Sequence, residues 1–427
     1  MKTNTMKQQQ NFTPLLKVSL LALLLAFTAC SSDDTNTSED TSEEETTDES
    51  TIDINSYILV SDINSQGAYI INHDGDQLFS WKFDRDLGND VNLLDDGSLV
   101  VCLKADNAGI TLGGYGGIMR KINVDQSIDW EVSYSSGDDY MAHHDVEYLS
   151  NGNIIFPVWE KVTADEAAEL GFSENYDIFP EAIIEMNPLT EEIVWEWHVT
   201  DHVIQNHDAS KENFGVVVEH PNKVDINYNS SQTNGDLMHF NGLTLDETND
   251  VLYITVNNYS EVWVLDHSTT TEEASTSTGG NYNLGGDLVY RYGNPLAYDN
   301  VGEVTLNNVH YPNLLTTGNM IVFANDIYDN QSEVVEYKLN PPYELNAGED
   351  NEPEVVWSFK DPELYTAGLG SGVRMSNGNT LIAEGRDGTL WEVSASGEVL
   401  WQNTEYNTTW RAYAFTVDAP AILALGL

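Results

Sequence analysis

A single phrase recurs along this chain: an apolar strand, a turn built on Asn and Gly, and a second apolar strand. After His144 it reads Asp145-Val-Glu-Tyr-Leu-Ser-Asn151-Gly152-Asn153-Ile-Ile-Phe, and after His310 it reads Tyr311-Pro-Asn-Leu-Leu-Thr-Thr-Gly318-Asn319-Met-Ile-Val-Phe. His239 leads Phe-Asn-Gly-Leu-Thr-Leu, a longer turn from Glu247 to Asp250, then Val-Leu-Tyr-Ile. Two further copies, near Asn89 to Val101 and Gly370 to Ile382, lack the histidine. Each copy can pair its two strands but cannot bury their faces alone, so several units must stack or form a ring. In a ring, equivalent positions face one axis. Three imidazoles from distant parts of the chain are therefore expected to converge.

A second signal counts the units. A strand ending in an aromatic residue after a polar turn appears at Trp81, Trp130, Trp195, Tyr290, Trp357 and Trp401. The spacing is that of four strands per unit, which describes a propeller blade. The expected fold is all-β: a six-bladed β-propeller over residues 52–427, closed by Trp410–Phe415 pairing near Tyr57–Ser61. A two-sheet sandwich is the alternative, and six copies fit it poorly. Insertions at 157–182, 198–236 and 267–286 are expected to wall the axial entrance, the last as a long mobile loop. Helical periodicity is confined to about 162–172 and 198–206.

The first residues address the chain to the cell envelope. Lys2, Lys7 and Lys17 precede an apolar run from Val18 to Phe27 and then Thr28-Ala29-Cys30. This reads as a signal peptide over residues 1–29, with Cys30 lipidated as in a bacterial lipoprotein. Residues 31–51 hold only Ser, Thr, Asn, Asp and Glu, a disordered, self-repelling acidic linker. In Bacteroidetes-type lipoproteins such a stretch resembles a surface-export signal. The expected location is thus the bacterial cell envelope, with the membrane met only through the lipid. Cys102 then has no partner and reads as a small buried hydrophobe. Removing three lysines leaves 14 basic against 70 acidic side chains, a formal charge of −56. That field repels nucleic acid, and an anionic substrate needs a local positive pocket to overcome it.

His143-His-Asp-Val-Glu-Tyr-Leu-Ser-Asn-Gly-Asn153, Met238-His-Phe-Asn-Gly-Leu243, Ser260-Glu-Val-Trp-Val-Leu-Asp-His-Ser268, Gly285-Gly-Asp-Leu-Val-Tyr-Arg-Tyr-Gly-Asn-Pro295, Gly318-Asn-Met-Ile-Val-Phe323 and Ser376-Asn-Gly-Asn-Thr-Leu-Ile382 together resemble the bacterial arylsulfate sulfotransferase family, from about residue 57 to 415. The resemblance implies a six-bladed propeller that moves a sulfuryl group from a small aryl sulfate donor to a phenolic acceptor, without a nucleotide donor or any cofactor. It implies a histidine nucleophile sulfurylated in a ping-pong cycle. By motif order His310 matches the nucleophile, with His239 and His144 as its supporting pair. An arginine often follows the second histidine in the family, where this chain has Asn257. Arg374 is the first candidate to supply that charge and Arg291 the second. His143, Asn257 and Arg291 are expected to contact substrate.

Other constellations rank lower. His198, His202 and His207 include one helical i, i+4 pair, but a zinc site needs a further ligand on the same face. Gly113-Gly-Tyr-Gly-Gly117, followed by Arg120, lacks the lysine pattern of a phosphate loop and reads as a turn between strands. Two competing readings stand beside the transferase: a non-catalytic binding propeller, and a metal-dependent lyase or hydrolase using the three histidines. The transferase reading expects no catalytic metal, because the attacking nitrogen must keep its lone pair free.

Overall fold

The computed structural model describes residues 51–63, 66–326, 328–406 and 408–427. The expected signal peptide, Cys30 and the acidic stretch through Ser50 lie outside the described residues. Six antiparallel sheets follow one another along the chain, each with four main strands, so the fold is a six-bladed β-propeller. The innermost strands are Thr409–Thr416, Leu87–Leu93, the broken pair Tyr140–Ala142 and Glu147–Tyr148, Phe240–Asp246, Val309–Leu314 and Ser371–Arg374, for blades one to six. Blade one takes this strand from the far end of the chain. Thr409–Thr416 pairs with Ser56–Asp62 in the register Tyr57 with Phe415 and Leu59 with Tyr413, as the sequence led one to expect.

The six aromatic signals mark the six outermost strands, Gln77–Lys82, Ile128–Ser133, Glu192–His198, Tyr290–Tyr292, Glu354–Phe359 and Val399–Asn403. Three of their indoles tie neighbouring blades together. Trp195 Nε1 donates to Thr269 Oγ1 in blade four at 3.1 Å, Trp357 Nε1 to the Ala395 carbonyl in blade six at 2.9 Å, and Trp401 Nε1 to the His73 carbonyl in blade one at 2.8 Å. Each clamps its blade onto the next.

The core is divided among the seams between blades. Leu59, Ile70, Leu87 and Val101 fill the seam of blades one and two; Met119, Phe156 and Ile184 fill the second seam; Ile321, Phe323 and Trp391 fill the fifth. Middle strands such as Ile154–Glu160 and Val251–Val256 are buried on both faces, which is why they read as unbroken apolar runs. Each fully buried large side chain contributes roughly 1.5–3 kcal/mol.

Neighbouring inner strands are joined around the axis by polar groups. Asn92 Nδ2 donates to the Val146 carbonyl, Asn241 Nδ2 to that of Val309, and Asn313 Nδ2 to that of Gly372. Arg411, from the closing strand, sits buried at the centre. It reaches Asp90 at 2.7 Å, Asp145 at 2.9 Å and the Asn241 carbonyl at 2.9 Å, and lies 4.3 Å over the Tyr311 ring. One guanidinium thus engages blades two to five.

Two expectations about the insertions need correction. The 267–286 segment is organised: Thr270 and Glu273 form a reciprocal cap on the helix Thr271–Ala274, and Ala274 is buried. It packs on the 198–236 insertion, where His202 bonds Asp287 and the Ala274 carbonyl and Trp197 Nε1 donates to the Gly286 carbonyl. Most of these three segments cover apolar surface beside blades three and four, and only their ends meet the axial histidines, Trp159 against the His144 and His239 rings and Asp236 bonded to His239. The helical periodicity corresponds to a short helix, Ala164–Glu169, and a 3-10 turn, Val199–His202.

Candidate active site

Several inner strands are distorted where they enter the axial mouth. Register slips occur between Leu87 and Val91, Phe240 and Gly242, and His310 and Asn313. His144 and His239 adopt left-handed backbone angles, φ +57° and +62°, as do Tyr311 and Leu369 at +50° and +66°. Such bulges re-aim side chains. Here they turn His144, His239 and His310 into one cavity of about 570 Å³, shared with Gly113, Gly114, Asn257, Asn308, Leu369, Arg386 and Trp410. The predicted convergence of three histidines is present. Gly114 is required locally: at φ +80° a side chain there is strained, and its Cβ would lie 2.3 Å from His144 Nε2.

Hydrogen bonds assign a proton state to His310. Asn325 Nδ2 donates to the Thr366 and Leu369 carbonyls, which leaves its Oδ1 facing His310 Nδ1 at 2.5 Å. An amide oxygen only accepts, so His310 Nδ1 carries the hydrogen. The backbone N–H of Leu369 donates to His310 Nε2 at 3.2 Å, which places the lone pair on Nε2. Burial, with the nearby charge of His239, holds the His310 pKa down to about 3. It is a neutral imidazole on the cavity wall, its Nε2 lone pair accepting from Leu369.

His239 is the opposite case. Burial alone would depress its pKa, but the charge of Asp236 and the 2.6 Å hydrogen bond from Nδ1 to Asp236 Oδ2 outweigh it and hold the pKa above the ordinary value. His239 is thereby shifted toward the imidazolium, in which Nε2–H can donate. His144 stands edge-on to it, ring centroids 4.6 Å apart, and burial together with the charge of His239 keeps it neutral.

His143 does not reach the cavity, contrary to expectation. It is fully buried, stacked 3.7 Å on Trp159, with its Nδ1 2.8 Å from His144 Nδ1. Asn257 lines the cavity, yet its amide donates to the Val309 carbonyl at 3.1 Å and its oxygen accepts from Asn308. Neither arginine candidate is in the site. Arg374 lies at the far end of its strand, bonded to Glu336 at 2.6 Å and to Thr380, and stacked over Trp357. Arg291 is buried inside blade four against Glu261 and 4.4 Å from the Tyr298 ring. The cavity's arginine is Arg386, exposed on the 3-10 turn Gly385–Asp387 beside Gly368. Among the described residues it is the only arginine without an acidic partner.

Among the described residues no group of three His, Cys, Asp or Glu side chains is arranged to hold a metal ion. His198 and His202 turn to different partners, Glu160 and Asp287. Gly113 and Gly114 line the cavity rather than forming only a passive turn. Cys102 is buried and free, and burial pushes its thiol up to about 12.

Residues 90–406 match the family model described as arylsulfotransferase (ASST). No curated protein matches the chain. Similar solved structures include a protein of unknown function from Bacteroides caccae, at 12% identity over 84% of this chain and 98% of that one, TM-score 0.49. A putative 6-phosphogluconolactonase from Bacteroides fragilis is similar at 11% identity over 84% and 98%, TM-score 0.42. The periplasmic gluconolactonase of Pseudomonas aeruginosa is similar at 12% identity over 85% and 99%, TM-score 0.41.

Proposed function

The chain belongs to the arylsulfotransferase family, and on that premise we propose that it moves a sulfuryl group from an aryl sulfate to a phenol through a sulfohistidine on His310. The observation that carries this reading is the pairing of opposite proton states in one cavity: a lone pair on His310 Nε2 and a proton held on His239 by Asp236. Nε2 attacks sulfur while the aryl oxygen departs, and His239 Nε2 protonates that oxygen. A phenol then enters, gives its proton back to His239 and takes the sulfuryl group from His310. Charge spread over the sulfuryl oxygens in both steps calls for fixed donors more than for covalent help. Arg386 supplies the cation that Asn257 does not, and His144 completes the cradle. Trp410, its ring 5.5 Å from that of His144, gives the aryl group an aromatic wall.

Charge outside the cavity favours the same substrates. Lys82, Lys104 and Arg386 are the lysines and arginines without an acidic partner among the described residues, and each lies at the end of its sheet that faces the axial mouth. On a chain of formal charge −53, Arg386 is the one of them that lines the cavity, where it can receive an anion.

The test is turnover of 4-nitrophenyl sulfate with and without a phenol acceptor, followed by mass spectrometry of enzyme quenched with donor alone. Acceptor-dependent release and a sulfuryl group on the His310 peptide are expected. Turnover with no labelled histidine would replace the ping-pong cycle by direct transfer. No turnover with any aryl sulfate would leave a binding propeller. We further infer from Lys2 to Cys30 that the protein is a lipid-anchored envelope protein; palmitate labelling lost in Cys30→Ser tests it.

A further inference from the structure

We propose that the backbone N–H of Leu369 caps the nucleophile and then holds the transferred sulfuryl group, so that one donor serves both states of His310. The inference rests on the transfer reading above. It starts from a conflict: the nitrogen that must attack already accepts a hydrogen bond, from Leu369 at 3.2 Å.

That bond is built. Leu369 has φ +66°, where a residue with a branched side chain is strained, and Gly370 follows at +119°. The conformation is over-determined by its surroundings. Asn325 donates to the Leu369 carbonyl at 2.8 Å with the same side chain whose oxygen fixes His310 Nδ1, so amide and imidazole share one frame. Gly370 N–H donates to the Trp410 carbonyl, Thr366 Oγ1 to that of Gly368, and Arg386 N–H to Thr366 Oγ1. A Cβ on Gly370 would lie 2.8 Å from the Phe323 ring, so the loop is closely seated.

Geometry lets the donor change partner without a large motion. As the Nε2–S bond forms and the S–O(aryl) bond breaks, the lone pair is consumed, and a sulfuryl oxygen arrives within a bond length of where it stood. The Leu369 N–H passes from nitrogen to that oxygen. The departing electron pair leaves on the phenolic oxygen with the His239 proton. In the return step the acceptor oxygen takes sulfur, its proton goes to His239, the N–S bond breaks and the N–H returns to Nε2. The cap thus costs little in the transition state, and the donor strengthens as charge grows on oxygen.

The deciding experiment replaces Leu369 by its α-hydroxy acid through nonsense suppression, which turns this amide into an ester and deletes one N–H. The control carries leucine introduced by the same route. The rate of nitrophenolate release in the first half-reaction is expected to fall roughly 100-fold, the size of losing one oxyanion donor, with KM for the phenol acceptor little changed. Nitrogen-15 NMR of histidine is expected to show His310 protonating at higher pH than in the control, since the N–H stabilises only the neutral ring. The groups facing His310, namely His144, His239, Asn325, Arg386 and Arg411, are the same in both proteins. Leu369→Gly keeps the N–H and is expected to stay within about tenfold of wild type, well short of a lost donor. An ester within threefold of control, an unmoved His310 titration, or a glycine variant as slow as the ester would each overturn the proposal. A leucine control that turns over no aryl sulfate would instead tell against the transfer reading, and the NMR titration would still decide the cap.

Discussion

Asp236→Asn separates charge from geometry at the acid. Asp236 and His239 are 6% and 17% exposed at their side chains, so solvent screens their 2.6 Å contact little. Asparagine is isosteric, and its oxygen still accepts from His239 Nδ1, so ring orientation and tautomer are kept. What is lost is the difference between a charge-assisted and a neutral hydrogen bond, about 1–2 kcal/mol. That is roughly 5–30-fold less imidazolium at a pH above both pKa values. The effect should depend on the leaving group. Release of phenol from phenyl sulfate should slow about 5–30-fold, because phenoxide needs the proton. Nitrophenolate leaves unprotonated, so its release should change less than about threefold. The sign with pH follows from the raised His239 pKa. Catalysis that needs His239 protonated is complete below that pKa and is lost as pH rises through it. The variant loses it at lower pH, so its deficit should grow above neutrality and shrink below it. His310, held to about 3, stays neutral throughout that window. Stopped-flow release measured for both sulfates between pH 5.5 and 9 tests this. An equal deficit for both sulfates, constant with pH, would mean Asp236 only orients the ring.

His310→Ala should abolish both half-reactions and all labelling by an aryl sulfate donor, while thermal denaturation stays within a few degrees of wild type. Arg386→Ala should lower kcat/KM for aryl sulfates roughly 100-fold, the usual loss of one donor. Arg374→Ala should leave turnover near wild type, and a large kinetic loss there would restore the arginine expected from sequence. Arg291→Ala should instead cost about 3–5 kcal/mol in urea unfolding, because it strands Glu261 as a buried unpaired charge. EDTA should not alter turnover; activity restored by a divalent ion after chelation would favour the metal-dependent alternative.

Much of the architecture was legible because a propeller repeats its physics. An aromatic residue recurs on each outer strand, and the indoles of Trp195, Trp357 and Trp401 bond the next blade, so the recurring aromatics counted the blades. The histidines were legible for the same reason. His144 and His310 each precede the turn glycine by eight residues, at Gly152 and Gly318. That offset also held the correction to Arg374. It precedes Gly378 by only four, and Gly370 occupies the histidine's place. Four residues of strand are roughly 13 Å, enough to move Arg374 to the opposite face. Arg386, Asp236 and Asn325 were not legible. They lie on connections or second strands, outside the repeated phrase, and reach the site through three-dimensional register alone. The ordered 267–286 loop was missed because Ser, Thr and Gly suggest mobility, and only the Thr270 to Glu273 spacing announced a capped helix.

The closing strand makes the site a product of timing as well as of geometry. His144, His239 and His310 leave the ribosome long before Thr409–Thr416 does. Yet Trp410 is a wall of the cavity, its carbonyl pins the Gly370 loop, and Arg411 neutralises Asp90 and Asp145 at the axis. Until that strand inserts, two carboxylates face one another unneutralised, and blade one lacks its inner edge. A chain stopped before residue 409 would carry every proposed catalytic histidine and still be an open, self-repelling arc. On the proposed mechanism, the order of synthesis would keep the His310 imidazole from meeting phenols before the ring is closed.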